Sequence, residues 1–328
     1  MGEFELIARF FDRPAPPGSG VVLGVGDDCA LLELTPGQRL AVSSDMLVEG
    51  RHFLSTVDPV ALGHKALAVN LSDLAACGAR PRGCTLALAL PGPDEALLDG
   101  LARGLHALAD RHACPLVGGD TTAGPLNLCV TVFGEVPPGQ ALLPSAAQSG
   151  DDLWVSGTVG GARLALEVFR GRIPASEVDF DAARRAMEWP EPRLALGLAL
   201  RGVARAAIDI SDGLLGDLGH VLRASRLNAQ VDADAIPAHP ALLGRADDER
   251  RLLTLAGGDD YELLFSAPPA RREAVLQAGE ASATPVRRIG CFLSPLPGEP
   301  SGRVRVLDRE GRELRGPFHS FDHFASAP

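Results

Sequence analysis

Acidic residues follow short apolar segments at several places in this 328-residue chain. An aspartate beside a glycine is often a turn or a helix cap, so any one of these positions is a weak signal. Their number is the stronger signal, because carboxylates that crowd the ends of buried strands repel one another unless cations lie between them. The aspartates of this set are Asp28, Asp45, Asp120, Asp209, Asp212 and Asp259.

Asp73 is the strongest single candidate for a metal ligand. It lies near the end of a helix predicted over 59–77, within the apolar run Ala66–Ala76. The negative end of the helix dipole and burial both disfavour a carboxylate at this point, which suggests a bound metal ion. Carboxylate and hydroxyl oxygens suit Mg²⁺, Mn²⁺ or Ca²⁺ better than zinc.

The common nucleotide-binding signatures do not occur in the sequence. It contains neither a GxxxxGK[ST] loop nor the HRD and DFG motifs of protein kinases. The formal charge is −11, which disfavours nucleic acid and anionic membranes as partners. A phosphorylated substrate would meet the same repulsion, and several Mg²⁺ ions held by the acids would remove it. We therefore expect aspartates from both halves of the chain to converge on divalent ions that hold a nucleotide.

Composition indicates a cytoplasmic protein. The six cysteines include no CxxC pair, the N-terminus has no apolar signal core, and no apolar run has the ~20 residues of a membrane span. Lys65 is the single lysine beside thirty arginines. Either it has no special role, or its position needs a compact ammonium group, and the sequence does not choose between the two.

Strands and helices alternate in both halves, which predicts an α/β or α+β class. Asp58-Pro59 begins the predicted helix, since Asp is a good N-cap and Pro is favoured at the first helical position. The segment from Pro137-Pro138-Gly139 to Gly150 predicts a boundary. We expect an N-terminal domain over 1–140 and a C-terminal α/β domain over 148–328.

Seven motifs in this order resemble the thiamine-monophosphate kinase family. The resemblance runs from Gly2 to Phe324. The wider superfamily of this family includes aminoimidazole-ribonucleotide synthetase, selenophosphate synthetase and a hydrogenase-maturation protein. The motifs are GVGDDCALL, SSDMLVEGRHF, KALAVNLSDLAACGA, GGDTT, IDISDGLLGDLGHV, GGDDYELLF and FDHF. The resemblance implies a homodimer whose N-terminal sheets join into a barrel, and transfer of phosphate from ATP to thiamine phosphate.

The same resemblance implies roles for individual residues. Gly119, Asp120 and Ser211 would bind ATP, and His52, Asp259 and Phe321 would contact thiamine phosphate. The Mg²⁺ ligands would be Asp28, Ser43, Ser44, Asp45, Asp73, Asp120, Asp209 and Asp212.

Three positions depart from the family's usual pattern. Pro144 stands where an arginine near the ATP phosphates is common, and Asp259 stands where Glu is more usual. Phe321 replaces Trp or Tyr, so it keeps a stacking face and loses a polar tip. These changes put the corresponding contacts in question.

The expected chemistry is direct in-line transfer without a catalytic base. The acceptor is a phosphate monoester with a second pKa of ~6, so it is mostly dianionic at neutral pH. Two alternatives stay open: another ATP-dependent synthetase or kinase of the same superfamily, and a non-catalytic protein that binds divalent metal ions.

Overall fold

The computed structural model describes residues 2–318 and divides into two compact units. The first unit comprises the residues up to Leu74 together with Ala79–Gly139. The second comprises Ala75–Gly78 and the residues from Gln140 onward. Both units mix helices and strands, which confirms the predicted two-domain α/β class.

The first unit carries three helices and six strands among its described residues. They are α1 (Glu3–Phe10), β1 (Val21–Leu23), β2 (Leu31–Leu32), β3 (Arg39–Val48), α2 (Pro59–Cys77), β4 (Arg80–Leu90), α3 (Glu95–Arg111), β5 (Leu116–Ala123) and β6 (Asn127–Val136). β1 and β2 form a small antiparallel pair. The main sheet has the order β3-β6-β4-β5, in which only β4 and β5 are parallel.

Helix α2 begins as the sequence predicts. The Asp58 carboxylate accepts a hydrogen bond from the Val60 amide at 2.7 Å, which satisfies one of the unpaired amides of the first turn. The helix is buried almost throughout, and its apolar side chains share the interior with those of α3 and of the sheet. Burial on nearly all sides explains why this helix is hydrophobic rather than amphipathic.

The second unit contains a six-stranded mixed sheet of order β12-β9-β11-β7-β10-β8. Its elements are β7 (Asp152–Ser156), α4 (Gly161–Phe169), α5 (Glu177–Glu188), α6 (Leu194–Ala199), β8 (Ala206–Asp209), α7 (Leu214–Ser225), β9 (Asn228–Asp232), α8 (Asp247–Ala256), β10 (Leu263–Ala267), α9 (Arg272–Ala281), β11 (Val286–Leu293) and β12 (Val304–Leu307). Leu153, Val155, Leu218, Leu222 and Phe292 belong to its main core.

Between Gly2 and Phe318, none of the helices combines the length and apolar character that crossing a membrane requires.

Candidate functional site

Strand β3 carries three adjacent residues that were predicted as metal ligands, Ser43, Ser44 and Asp45, and directs them to two different faces of the sheet. Side chains alternate between the faces of a strand, so Ser43 and Asp45 lie on one face and Ser44 on the other. The Ser44 hydroxyl is within 2.9 Å of the Thr131 hydroxyl in β6, on that opposite face. The side chains of Ser43 and Ser44 therefore do not point to the same place.

Ser43 and Asp45 face helix α2. The Ser43 hydroxyl donates a short hydrogen bond to the Asp73 carboxylate. The Asp45 amide donates to the side-chain oxygen of the buried Asn70 at 2.9 Å, which fixes the strand against the helix. The first unit thus brings Ser43, Asp45 and Asp73 to one side of the sheet.

Asp120 lies at the far edge of the same sheet. Asp45 pairs with Val130, Val130 with Leu86, and Leu86 with Gly119, so one row of residues crosses all four strands. Three strand spacings of ~4.8 Å separate the two ends of the row by about 14 Å. The backbones at Asp45 and Asp120 therefore lie on opposite edge strands of this sheet.

Gly119 is a glycine for a reason within the fold. Its φ is +149°, and a Cβ built there would lie 1.8 Å from the Leu86 carbonyl oxygen of β4. Close approach of two backbones accounts for this glycine whether or not a nucleotide binds beside it.

His52 lies in the turn that follows β3. Its Nδ1 accepts a hydrogen bond from the Val48 amide at 3.0 Å, so the neutral ring carries its proton on Nε2. The buried Lys65 ammonium of α2 donates to the His52 carbonyl at 3.4 Å. The single lysine of the chain thus helps to hold the backbone at His52. Asp28 is exposed in the loop between β1 and β2, where its amide donates to the Asp27 carboxylate at 2.8 Å.

In the second unit, three aspartates surround the loop between β8 and α7. Asp209 ends β8 and is buried, Asp212 is half-buried in the loop, and Asp217 is buried in the first turns of α7. One oxygen of Asp217 accepts hydrogen bonds from three consecutive amides, those of Ser211, Asp212 and Gly213, at 3.0, 3.1 and 3.1 Å. Three successive amides turned toward one anion form a nest.

The pKa of Asp217 is raised to about 7, chiefly by burial and then by the charges of Asp209 and Asp212, while hydrogen bonds from the loop amides act in the opposite direction. Such crowding of like charges is what a bound cation would relieve.

The loop over 257–262 packs against the β8–α7 loop through its backbone. The Asp259 amide donates to the Ser211 carbonyl at 2.8 Å, and the Tyr261 amide donates to the Ile210 carbonyl at 2.9 Å. Both Asp259 and Tyr261 have positive φ, of 68° and 52°. Residues other than glycine rarely adopt this backbone conformation, although Asp tolerates it better than most. The predicted ATP contact Ser211 and the predicted substrate contact Asp259 are thus held together.

The Asp260 carboxylate lies at the turn that spans Gly157–Gly161 and leads into α4. The Gly160 amide donates to both oxygens of its carboxylate, at 2.9 and 3.0 Å. Burial raises the pKa of Asp260 well above its usual value, and the charges of Glu262 and Asp259 act in the same direction, while the amides of Gly160 and Ala162 oppose them. A glycine-rich turn that resembles a phosphate site is therefore occupied by a carboxylate of the chain itself.

The donor set of each unit consists of hard oxygens that fit Mg²⁺. No group of three or more His, Cys, Asp or Glu side chains within residues 2–318 is arranged as a ready metal site. Mg²⁺ commonly takes one or two protein carboxylates and completes its ligand set with water and substrate phosphates, so the Ser43–Asp73 pair and the Asp209–Asp212 pair could each hold part of such a set.

Phe321 and Pro144 are the two positions where this chain departs from the usual family pattern outside the loops described above. Phe321 lies outside the described residues. Pro144 begins a short 3₁₀ helix, Pro144–Ala146, and its carbonyl accepts a hydrogen bond from the Ser225 hydroxyl at 2.7 Å. This proline therefore has a structural place in the second unit.

Asp217 and Asp260 were not among the predicted site residues. Each is an acid within a motif that the sequence did show, and each resembles an ordinary helix-associated aspartate there. Their partners are amides, which carry no sequence signal, so only the folded backbone reveals their role.

Comparison with known proteins is consistent across the whole chain. Residues 26–136 match the family "AIR synthase related protein, N-terminal domain", and residues 148–292 match its C-terminal domain. The chain is 44% identical to thiamine-monophosphate kinase of Salmonella typhimurium, covering 99% of both proteins. It is 42% identical to the same enzyme of Escherichia coli, again over 99% of both.

Solved structures agree with the sequence matches. A crystal structure of thiamine-monophosphate kinase from Stenotrophomonas maltophilia has a TM-score of 0.82 and 45% identity, over 91% of this chain and 93% of that one. AaThiL in complex with AMPPCP and TMP has a TM-score of 0.75 and 26% identity, over 89% of both chains. The chain therefore belongs to the AIR synthase related family and, within it, to the thiamine-monophosphate kinases.

Proposed function

We propose that this protein transfers the γ-phosphoryl group of ATP to thiamine phosphate, giving thiamine diphosphate and ADP. The observation that carries the proposal is the 44% identity to a thiamine-monophosphate kinase over 99% of both chains. The complex of AaThiL with AMPPCP and TMP, an ATP analogue and the proposed acceptor, supports the same pair of substrates. Because ATP is the donor, we place the reaction in the cytoplasm.

The acceptor needs little activation. Its phosphate has a second pKa of ~6 and is mostly dianionic at pH 7, so an oxygen of that phosphate attacks without a base from the protein. The barrier to be lowered is repulsion between two anions, which positioning and fixed positive charge can reduce. When bound, Mg²⁺ would supply that charge.

The chain's own residues would place these groups. Ser43 and Asp73 would hold one ion in the first unit, and Asp209 and Asp212 another in the second. Asp28, Ser44, Asp45 and Asp120 remain proposed ligands. Gly119, Asp120 and Ser211 would lie at ATP.

The acceptor would be held by His52 and Asp259. The Nε2–H of His52 can donate to a phosphate oxygen, and the Asp259 carboxylate complements the positive charge of a thiazolium ring. Phe321 would stack on one of the thiamine rings.

We further propose that the protein is a homodimer whose first units join into a barrel. β3 is an edge strand, and its residues Leu40, Val42 and Met46 are 51%, 55% and 53% exposed on one face of the sheet. An apolar sheet face with open edges is typical of an interface. A second copy of the sheet would cover this face and pair the edges.

The test of the activity is a single incubation of purified protein with ATP, Mg²⁺ and thiamine phosphate, with nucleotides and thiamine species separated by chromatography. We expect equal amounts of ADP and thiamine diphosphate, and no phosphorylation of unphosphorylated thiamine. ADP with a different phosphorylated acceptor would indicate another superfamily activity. Binding of Mg²⁺ and ATP without turnover would instead indicate a non-catalytic metal-binding protein.

A further inference from the structure

Two helix N-termini in the second unit lie beside residues proposed to bind substrates. The amides before α7 are taken by Asp217, and the amide at the start of α4 is taken by Asp260. Free helix N-termini commonly bind phosphate through such amides. Here both are closed by carboxylates of the same chain, so neither offers those amides to a nucleotide.

We propose that Asp217 is a positioning residue, which holds the loop Ile210–Gly213 in the shape that presents Asp209 and Asp212 to a divalent ion. The proposal rests on the proposed function, because it assigns the loop to the nucleotide-bound metal. Asp217 itself would not bind the ion.

Geometry supports a positioning role. All the hydrogen bonds that the structure gives the Asp217 carboxylate end on one oxygen, Oδ2, and all come from backbone amides of the loop. Three bonds to consecutive residues fix the loop's direction far more tightly than one cap bond would. The side chain of Asp217 is 3% exposed, so water cannot replace it easily.

The same loop also carries Ser211. Its amide is already donated to Asp217, so a contact between Ser211 and ATP has to use the side chain, which is exposed. The nest therefore leaves Ser211 exposed and does not itself hold phosphate.

A positioning role and a purely electrostatic role predict different results for Asp217→Asn and Asp217→Ala. The amide oxygen of Asn can accept the same three hydrogen bonds, although the negative charge is gone. Alanine removes both the charge and the acceptor. If the loop's shape matters, Asn keeps the metal affinity and Ala loses it. If the charge matters, both substitutions lose it alike.

The test measures Mn²⁺ binding to the full chain by calorimetry with a non-hydrolysable ATP analogue, so that no turnover is needed. We expect Asp217→Ala to weaken Mn²⁺ binding at least tenfold and Asp217→Asn to stay within about threefold of the unmodified protein, as outer groups that orient metal ligands typically change affinity 10–100-fold. Steady-state kinetics should show the same order, with kcat reduced more than the KM for thiamine phosphate.

Asp94→Ala is the matched control for a simple loss of helix stability. Asp94 caps α3 by accepting from the Ala96 and Leu97 amides at 3.0 and 3.1 Å, in the other unit. The Asp94→Ala substitution should lower the melting temperature and leave Mn²⁺ binding unchanged.

Equal losses in Asp217→Asn and Asp217→Ala, or unchanged Mn²⁺ binding in a folded Asp217→Ala, would overturn the proposal. So would absence of Mn²⁺ binding by the unmodified protein. A protein that binds Mn²⁺ in the expected order but makes no thiamine diphosphate would support the positioning role and refute the proposed activity.

Discussion

The Asp259 amide donates a hydrogen bond to the Ser211 carbonyl across 2.8 Å. These two residues come from loops 48 positions apart, and each was assigned to a different substrate on sequence grounds. Their backbone contact means that a shift of one loop is passed directly to the other. The proposed acceptor contact of Asp259 and the proposed nucleotide contact of Ser211 would therefore be coupled through the backbone.

Gly258→Ala should disturb both loops at once. A Cβ at this position would lie 2.2 Å from the Ser211 carbonyl oxygen and 2.9 Å from the Asp212 carbonyl carbon. We expect a loss of about 1–3 kcal/mol in the free energy of unfolding, as for other overpacked sites, and at least a tenfold fall in kcat/KM. Gly92→Ala is the control, because a Cβ there meets nothing within 4 Å. Normal kinetics in Gly258→Ala would show that the loops move apart freely.

Ser43→Ala should raise the Mg²⁺ concentration needed for half-maximal rate. The substitution removes the hydroxyl that donates to Asp73, and changes of this kind next to a metal typically cost 10–100-fold in affinity. Thr35→Val is the control, because it removes a hydroxyl that donates to the Glu135 carboxylate at 2.9 Å in the same unit, at a pair that is not proposed to bind metal. Its effect should stay below about threefold. A larger effect from Thr35→Val than from Ser43→Ala would contradict a metal site at Ser43 and Asp73. Titration of Mg²⁺ at saturating ATP decides the matter.

Ionisation of Asp260 should make the metal-free protein less stable as the pH rises above the carboxyl pKa of the unfolded chain, about 3.9. Its pKa is raised in the folded state, chiefly by burial, so the folded protein keeps this proton at pH values where the unfolded chain has lost it. The stabilisation that comes with the bound proton is therefore present in acid and is lost as the pH rises through the folded pKa.

Melting temperatures measured in EDTA between pH 5 and 9 provide the check. Asp260→Asn cannot ionise, so its stability relative to the unmodified protein should improve as the pH rises and level off once the pH exceeds the folded pKa of Asp260. Asp248→Asn, at a side chain that is 100% exposed, should run parallel to the unmodified protein. Parallel curves for Asp260→Asn as well would refute the prediction.

Val42→Asp should separate the proposed dimer. Val42 is 55% exposed on the apolar face of β3, and a carboxylate there would be buried without a partner if two sheets meet. Light scattering coupled to size-exclusion chromatography should report a monomer for this variant and a dimer for the unmodified protein. Leu243→Asp, at a 71% exposed residue of the second unit, should remain dimeric. A monomeric unmodified protein would exclude the barrel.

Deletion of residues 319–328 tests the proposed contact of Phe321. If that ring stacks on thiamine, the KM for thiamine phosphate should rise at least tenfold while the KM for ATP changes little, because stacking on an aromatic ring contributes about 1–3 kcal/mol. Phe321→Trp in the full-length chain should retain a low KM. Equal increases in both KM values would indicate that the segment only stabilises the fold.

The elements with strong local signals were predictable from the sequence. Helix α2 spans Pro59–Cys77 as predicted, because its cap, its proline and its following glycine are all local features. The class of the fold was predictable for the same reason. Asp209 does end β8, whereas Asp45 and Asp120 lie inside β3 and β5 rather than at their ends, because pairing with neighbouring strands extends both strands beyond the aspartates.

Elements with weak local signals were missed or misjudged. Helix α5 has few buried residues and so shows little apolar periodicity, and β9 is the polar segment Asn228–Asp232. β9 is a strand because β11 and β12 pair with it on either side.

By itself, the sequence determined the kind of chemistry, because residue types and their order carry that information: hard oxygen ligands, no phosphate loop and the motifs of one kinase family. Only the tertiary structure decided which groups meet. Alternation along β3 places the side chains of Ser43 and Ser44 on opposite faces, and the strand order places Asp45 and Asp120 on opposite edge strands. Hydrogen bonds from backbone amides revealed the roles of Asp217 and Asp260. These choices depend on contacts between distant segments and on main-chain atoms, which are the same for every residue type that could stand there.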